Sequence, residues 1–235
     1  MNEKPEEKLL VKGKTKNLYD IGRGLYKLYF KDDMTGENGV FDPGANTVGL
    51  TVDGAGKAGL GLSTYYFEKL NQEGIKTHFI SADLNAKTMT IRPTQIFGQG
   101  LEVICRYKAL GSFVRRYGSI VKENATLPAL VEMTIKSDAS GDPLITKEAL
   151  EALGVLQIGE YEKIVALTKK ICQIIRADLQ QKDLELCDIK LEFGKDSRGI
   201  VLIDELSAGN MRVRKNGQPI SPLDLAQKVL HKGGV

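Results

Sequence analysis

Tryptophan is absent, and histidine occurs only twice, at His78 and His231. So few histidines weigh against a histidine metal centre or a histidine-based catalytic triad. Cysteine is scarce too. Cys105, Cys172 and Cys187 are widely spaced in apolar surroundings, which suits reduced core residues of a cytoplasmic protein rather than a disulfide or metal set. No apolar run approaches the ~20 residues of a membrane span. The opening residues, Met-Asn-Glu-Lys-Pro-Glu-Glu-Lys, are charged and lack the apolar centre of a signal peptide. A net charge of +3 is too small to indicate nucleic acid or membrane binding without a local cluster. There is no internal repeat, no low-complexity segment and no G-x-x-x-x-G-K-[ST] phosphate loop.

What remains is an ordinary soluble composition. The 235 residues, 42% hydrophobic and 27% charged, suffice for one large domain or two small ones with a sizeable core. The most informative stretch runs from Asp188 to Arg212. Ile189, Leu191 and Phe193 alternate with Asp188, Lys190 and Glu192, the pattern of a strand with one buried face. Gly194 to Gly199 hold turn residues, and Ile200 to Ile203 return the chain to Asp204 and Glu205, so a hairpin is expected. It gathers four or five carboxylates and a lysine. Like charges on adjacent strands repel. A divalent cation offsets that, and hard oxygen ligands suit Mg²⁺. The alternative is a polar face that looks at water.

Two basic elements accompany the hairpin. Gly13-Lys14-Thr15-Lys16 places two ammonium groups two residues apart on a strand, beside a glycine that lets backbone approach a ligand. This suits a polyphosphate, or equally a charged edge strand. Arg106 to Gly118 concentrate four basic side chains and Ser112, which the pattern makes the N-cap of a short helix. Arginine grips phosphate through its planar fork. In a nearly balanced chain a small phosphorylated ligand is favoured over nucleic acid, with a solvated basic face as the bland alternative. Strands are expected at 9–11, 25–30, 75–80, 87–92, 101–107 and 131–135. Helices are expected from about Lys57 to Glu73, from a Thr146 cap to Gly154, over Glu160 to Gln181 and over Leu223 to His231. Residues 32–61 read as a long loop covering a site. Phe97 to Gly100 read as a linker between two lobes, 1–98 and 99–235. His78 is expected to be structural.

The order and spacing of these pieces resemble the phosphoribosylaminoimidazole-succinocarboxamide synthase (SAICAR synthetase) family along essentially the whole chain. The resemblance rests on Gly13 to Lys16, Arg106 with Gly111 to Gly118, Asp138 with Asp142-Pro143, Asp188 to Gly194, and Asp204-Glu205-x-Ser207 with Arg212. It implies a two-lobe α+β fold related to ATP-grasp enzymes and kinases, with an antiparallel N-terminal lobe, a mixed C-terminal lobe and ATP between them. It implies a ligase of purine biosynthesis. ATP phosphorylates the carboxylate of carboxyaminoimidazole ribotide, and the amine of L-aspartate displaces phosphate. No nucleic acid or membrane partner is implied, and a homodimer is the ordinary expectation for a soluble enzyme.

The resemblance puts Lys14 and Lys16 on the ATP phosphates and the segment of Gly98, Gln99 and Glu102 against adenine. By the same resemblance Glu192 and Asp204 would hold Mg²⁺, Asp188, Lys190 and Glu205 would sit beside the reacting groups, and Arg106, Ser112 and Arg212 would grip the ribotide phosphate. Four features depart from the family pattern: Ala208-Gly209 after Ser207, Asn38 at an acidic position, Gly59-Leu60 in place of an Asn-Asn pair, and a longer loop to Gly54. They bear on how the amine is held. The same residues also allow a relative that joins a different amine or carboxylate, and a nucleotide-binding protein without catalysis.

Overall fold

The computed structural model describes residues 7–231. The chain begins with three antiparallel strands, β1 (Lys8–Lys12), β2 (Lys16–Asp20) and β3 (Tyr26–Phe30). The expected loop at 32–61 is instead a small sheet and the start of a helix. β4 (Asp33–Glu37), β5 (Val40–Phe41) and β6 (Val48–Thr51) pair antiparallel in the order β5-β4-β6. Asn38 and Gly39, both at positive φ, make the two-residue turn joining β4 to β5. Such short strands rich in Gly, Asp and Asn carry little alternation, which is why the sequence reads as loop.

Helix α1 (Ala55–Gln72) follows and buries Leu60, Leu62, Tyr66, Phe67 and Leu70. Gly74, at φ +75, turns the chain just past its end. β7 (Phe79–Asp83) and β8 (Thr88–Ile91) complete a five-stranded sheet in the order β1-β2-β3-β8-β7. β7 begins four residues later than the expected strand at 75–80. Residues 76–78 pair elsewhere, because Leu202 N–H donates to Lys76 O and His78 N–H donates to Leu202 O, each at 2.9 Å.

The second large sheet is built on one long strand. β9 (Gln95–Ile96) and β10 (Leu101–Lys108) lead to helix α2 (Ser112–Tyr117), and β11 (Thr126–Ile135) follows. Helix α3 (Lys147–Ala152) opens on Thr146, whose hydroxyl accepts from Ala149 N–H at 3.2 Å. Helix α4 (Glu160–Gln180) delivers the chain to β12 (Glu185–Asp196) and its hairpin partner β13 (Gly199–Ile203). β14 (Met211–Lys215), β15 (Gln218–Pro219) and helix α5 (Pro222–Leu230) close the fold. The sheet runs β11-β10-β12-β14-β15, with β13 and β9 also paired to β12. The architecture is α+β with antiparallel sheets, as expected.

Alternation decides which face of β12 is dry. Ile189, Leu191 and Phe193 are buried in one apolar core with Val103 and Cys105 of β10 and with Ile164, Ile171, Cys172, Ile175 and Leu179 of α4. Each such aliphatic side chain contributes about 2 kcal/mol by leaving water. The three cysteines are free and buried, in keeping with their reading as core residues.

Candidate active site

The other face of β12 is polar, and strand register alone assembles most of it. Antiparallel pairing sets Asp188 opposite Arg106 on β10 and Arg212 on β14. It sets Lys190 opposite Ile104, and Glu192 opposite Glu102. With a period of two, Asp188, Lys190 and Glu192 share one face. Four residues of strand separate Asp188 from Glu192, about 13 Å at the usual rise. The face therefore has a cationic end and an acidic end, with Lys190 between them.

The acidic end floors a cleft of about 720 Å³. Its far wall comes from the turn between β1 and β2 and from the β4–β6 sheet. Lys14, Lys16, Met34, Phe41 and Asn46 line it, facing Glu102, Lys190, Glu192, Asp204 and Glu205. Lys14 lies in the turn and Lys16 opens β2, so the expected lysine pair spans a turn rather than one strand face. A Cβ on Gly13 would meet Lys16 O at 2.5 Å, so this turn requires glycine. Lys31 clamps it from behind, donating to Gly13 O at 2.7 Å and Lys14 O at 3.2 Å.

Lys16 contacts Asp204 at 3.2 Å and Glu205 more closely. Burial disfavours its charge, but Asp204 and Glu205 outweigh burial and raise its pKa. Asp204 shows the converse. Burial pushes its carboxyl up, but Lys16, Lys136 and Lys190 pull it down to about 2. Glu192 is raised by burial and then by the neighbouring Asp204 charge, although Lys136 sits 2.7 Å from it. The repulsion expected in this hairpin is therefore relieved largely by lysines. Asp204 itself adopts φ +66, a left-handed conformation uncommon outside glycine, immediately after β13 ends. His78 fixes that turn through a 3.1 Å contact from Nε2 to Asp204 O. Buried and structural as expected, His78 is lowered to about 4 by burial.

Glu205 is tied to Ser207, whose hydroxyl also caps a short turn by accepting from Gly209 N–H at 2.9 Å. Two of the departures converge here. A Cβ on Gly59 would lie 3.7 Å from Glu205 Oε2, and one on Gly209 would lie 3.4 Å from Glu205 Oε1. Both glycines line the cleft beside Glu205, whose two oxygens are held by Lys16 and Ser207. Leu60, by contrast, is core, and Asn38 is an exposed turn residue.

Of the residues expected against adenine, Gln99 and Glu102 line the cleft, whereas Gly98 lies against Val155. The Glu102 carboxylate accepts from Lys190 Nζ at 2.7 Å and Thr134 Oγ1 at 2.9 Å. Lys136 is the residue that sequence reasoning missed. Glu132, Thr134 and Lys136 follow the period of β11 one residue beyond its end, and that continuation is the signal.

At the cationic end, Arg106 donates to Asp188 Oδ2 at 3.0 Å, to Ser112 Oγ at 2.9 Å and to Glu132 Oε1 at 2.7 Å. Arg212 donates to Asp188 Oδ2 at 2.9 Å and to Asp42 Oδ1 at 2.7 Å. Burial raises the Asp188 pKa against the pull of Arg212 and Arg106. Ser112 is not the expected N-cap. Gly111 holds that position at φ +54, without a side-chain cap, and Ser112 is the first helical residue, its hydroxyl turned to Arg106.

Glu192 and Asp204 are two carboxylates on one wall, and no cluster of three or more metal-type ligands forms among the described residues. That donor set fits Mg²⁺, which takes one or two carboxylates and completes its shell with phosphate oxygens and water.

One face of β12 thus carries carboxylates and lysines under the cleft at one end and an arginine–serine cluster beyond the cleft lining at the other, a charge pattern that suits phosphate-bearing ligands. Comparison narrows the class. The family model described as SAICAR synthetase matches residues 9–232. A phosphoribosylaminoimidazole-succinocarboxamide synthase from Clostridium tetani is 53% identical over 224 residues, 94% of this chain and 99% of that protein. A SAICAR synthetase solved in complex with ADP superposes with a TM-score of 0.82 at 28% identity, covering 98% of this chain and all of its own. One from Pyrococcus horikoshii gives 0.79 at 28% identity, covering 94% of this chain and all of its own. The chain belongs to the SAICAR synthetase family of carbon–nitrogen ligases.

Proposed function

We propose that this sheet face carries out the family's ATP-dependent ligation, with the nucleotide at its acidic end and the ribotide phosphate at its cationic end. The observation that carries this reading is the strand register, which puts both seats on one face with Lys190 between them. The chain divides at the linker, 1–98 supplying the lysine turn and 99–235 the acidic floor and the arginine seat.

In this reading Lys14 and Lys16 receive the ATP phosphates, and Lys136 stands on the opposite side of the acidic floor. Glu192 and Asp204 would hold Mg²⁺, which would supply charge neutralisation at the polyphosphate. Arg106, Ser112 and Arg212 fix carboxyaminoimidazole ribotide by its phosphate, and its carboxylate reaches toward Lys190. A carboxylate oxygen attacks the γ-phosphorus, the bond to ADP breaks, and an acyl phosphate forms. The amine nitrogen of L-aspartate then attacks the acyl carbon. Phosphate leaves with the electron pair of the C–O bond, and the amine gives up a proton. The product is SAICAR. Phosphoryl transfer depends on positioning and on charge at the moving group more than on a side-chain nucleophile. Lysines aimed into the cleft suit that demand. Asp188 acts by positioning, since both its arginine partners belong to the phosphate seat. Glu205, flanked by Gly59 and Gly209, lines the cleft where an amine would enter. We place the reaction in the cytoplasm on the family reading alone; among the described residues no helix is long and apolar enough to cross a membrane.

The test is ADP release from Mg-ATP and the ribotide, with and without L-aspartate. Aspartate-dependent release with a product of the expected mass supports the reading. Release that ignores aspartate and answers another amine moves the function to a different ligase.

A further inference from the structure

The arginine seat is already occupied. Arg212 offers one edge to Asp188, which is buried at 3% exposure, and the other to Asp42, which belongs to the turn after β5. Asp42 Oδ1 also accepts from Gly44 N–H at 2.8 Å. The fit is close. A Cβ on Gly44 would lie 2.5 Å from Arg212 Nη2, and one on Gly111 would lie 2.7 Å from the same atom. The guanidinium is thus held between two glycine backbones, with a carboxylate on each edge.

The two carboxylates are not equivalent. Asp188 is enclosed beneath both arginines, and its removal would strand buried charge. The Asp42 side chain is 39% exposed and can turn to water at little cost. An incoming phosphate therefore meets Asp42 at the open edge of Arg212. Two anions on one guanidinium edge repel. A phosphate, with more charge and more acceptor oxygens, displaces a single exposed carboxylate.

We infer that Asp42 is a built-in occupant of the phosphate seat, displaced by the phosphate-bearing substrate, so that the β4–β6 sheet registers that substrate's arrival. The inference rests on the reading of Arg212 as a phosphate ligand. That sheet supplies Met34, Phe41 and Asn46 to the nucleotide cleft. Beyond Asp42, Asn46 Nδ2 also ties it across the cleft to Asp142 Oδ2, at 2.6 Å. Releasing Asp42 removes one of these ties, which links occupancy of the phosphate seat to the position of the cleft wall.

The test is Asp42→Asn, which keeps shape and removes charge, with Asp42→Ser as a second variant should the first fold poorly. Calorimetric binding of inorganic phosphate alone is expected to tighten about fivefold, the scale of one partly exposed ion pair, and the KM for the ribotide to fall in step. Amide exchange across residues 34–50 should rise when phosphate is added to the wild type and be raised already in the variant. Unchanged or weaker phosphate binding in Asp42→Asn overturns the inference, as does an exchange pattern that ignores both phosphate and the variant. Arg212→Lys and Ser112→Ala separate the two levels. If they weaken phosphate binding while Asp42→Asn fails to tighten it, the inference falls alone. If neither weakens it, the seat itself is misassigned and the inference falls with it.

Discussion

At the scale of single residues, charge compensation explains the acidic floor. Asp204 keeps its charge down to about 2 because lysines outweigh its burial. Removing Lys16 leaves Asp204 and Glu205 without their closest cation and takes one lysine from the proposed polyphosphate seat. Lys16→Met should lower kcat/KM for Mg-ATP by at least about a hundredfold, the scale of a lost transition-state charge contact, with fold retained by circular dichroism. Gly111→Ala tests the other end. An alanine there bears a left-handed φ and presses on Arg212, so the KM for the ribotide should rise about tenfold while the KM for ATP stays put. An equal effect on both would mean general damage.

His78 gives a pH test. Its folded pKa of about 4 lies below its ordinary 6.5, so the unfolded chain binds the proton more readily. Its contribution to stability is present above pH 6.5 and is lost as pH falls from there toward about 4. Denaturant titrations should show about 2 kcal/mol of this loss by about pH 5. His78→Gln should lack that component. These single-residue roles were only partly legible in the sequence. Lys16, Glu192 and Asp204 stand in recognisable spacing, whereas Lys136 and Asp42 acquire meaning only from partners 56 and 170 residues away.

Among the elements, β12 was the most legible. Its alternation separates a dry face from a wet one, and the wet face is the candidate site. The long helix α4 was equally plain from its apolar stripe. The β4–β6 sheet was not, because its strands are short and half-exposed, and its pairing comes from a turn at Asn38-Gly39 rather than from alternation. The start of β7 was missed for a different reason. Residues 76–78 are extended, as their composition suggests, but β13 claims them. Helices α1 and α4 are pinned by Asp178, which accepts from Tyr65 OH at 2.7 Å and Lys69 at 2.8 Å and lies 2.9 Å from Lys182. Asp178 is 2% exposed. Asp178→Ala strands two lysines and a tyrosine hydroxyl at that interface and should cost about 3 kcal/mol in urea unfolding. A loss below about 1 kcal/mol would mean the helices are held by their apolar contacts alone.

Across the whole molecule, two large sheets are joined where the polypeptide crosses between them, through β9 on β12 and residues 76–78 on β13. Those crossings set the lysine turn of the first sheet over the acidic floor of the second. No local pattern encodes that juxtaposition, and only the order of motifs along the chain pointed to it. The proposed ligation turns on a phosphate that passes from ATP to the ribotide carboxylate and leaves when the amine arrives. The direct measurement is to supply ribotide with a heavy-oxygen-labelled carboxylate and follow the label by mass spectrometry. An acyl-phosphate route puts one labelled oxygen in the inorganic phosphate released with each SAICAR formed, and Glu192→Gln should release no labelled phosphate at comparable times. Phosphate that emerges without label while SAICAR accumulates would contradict the acyl-phosphate route.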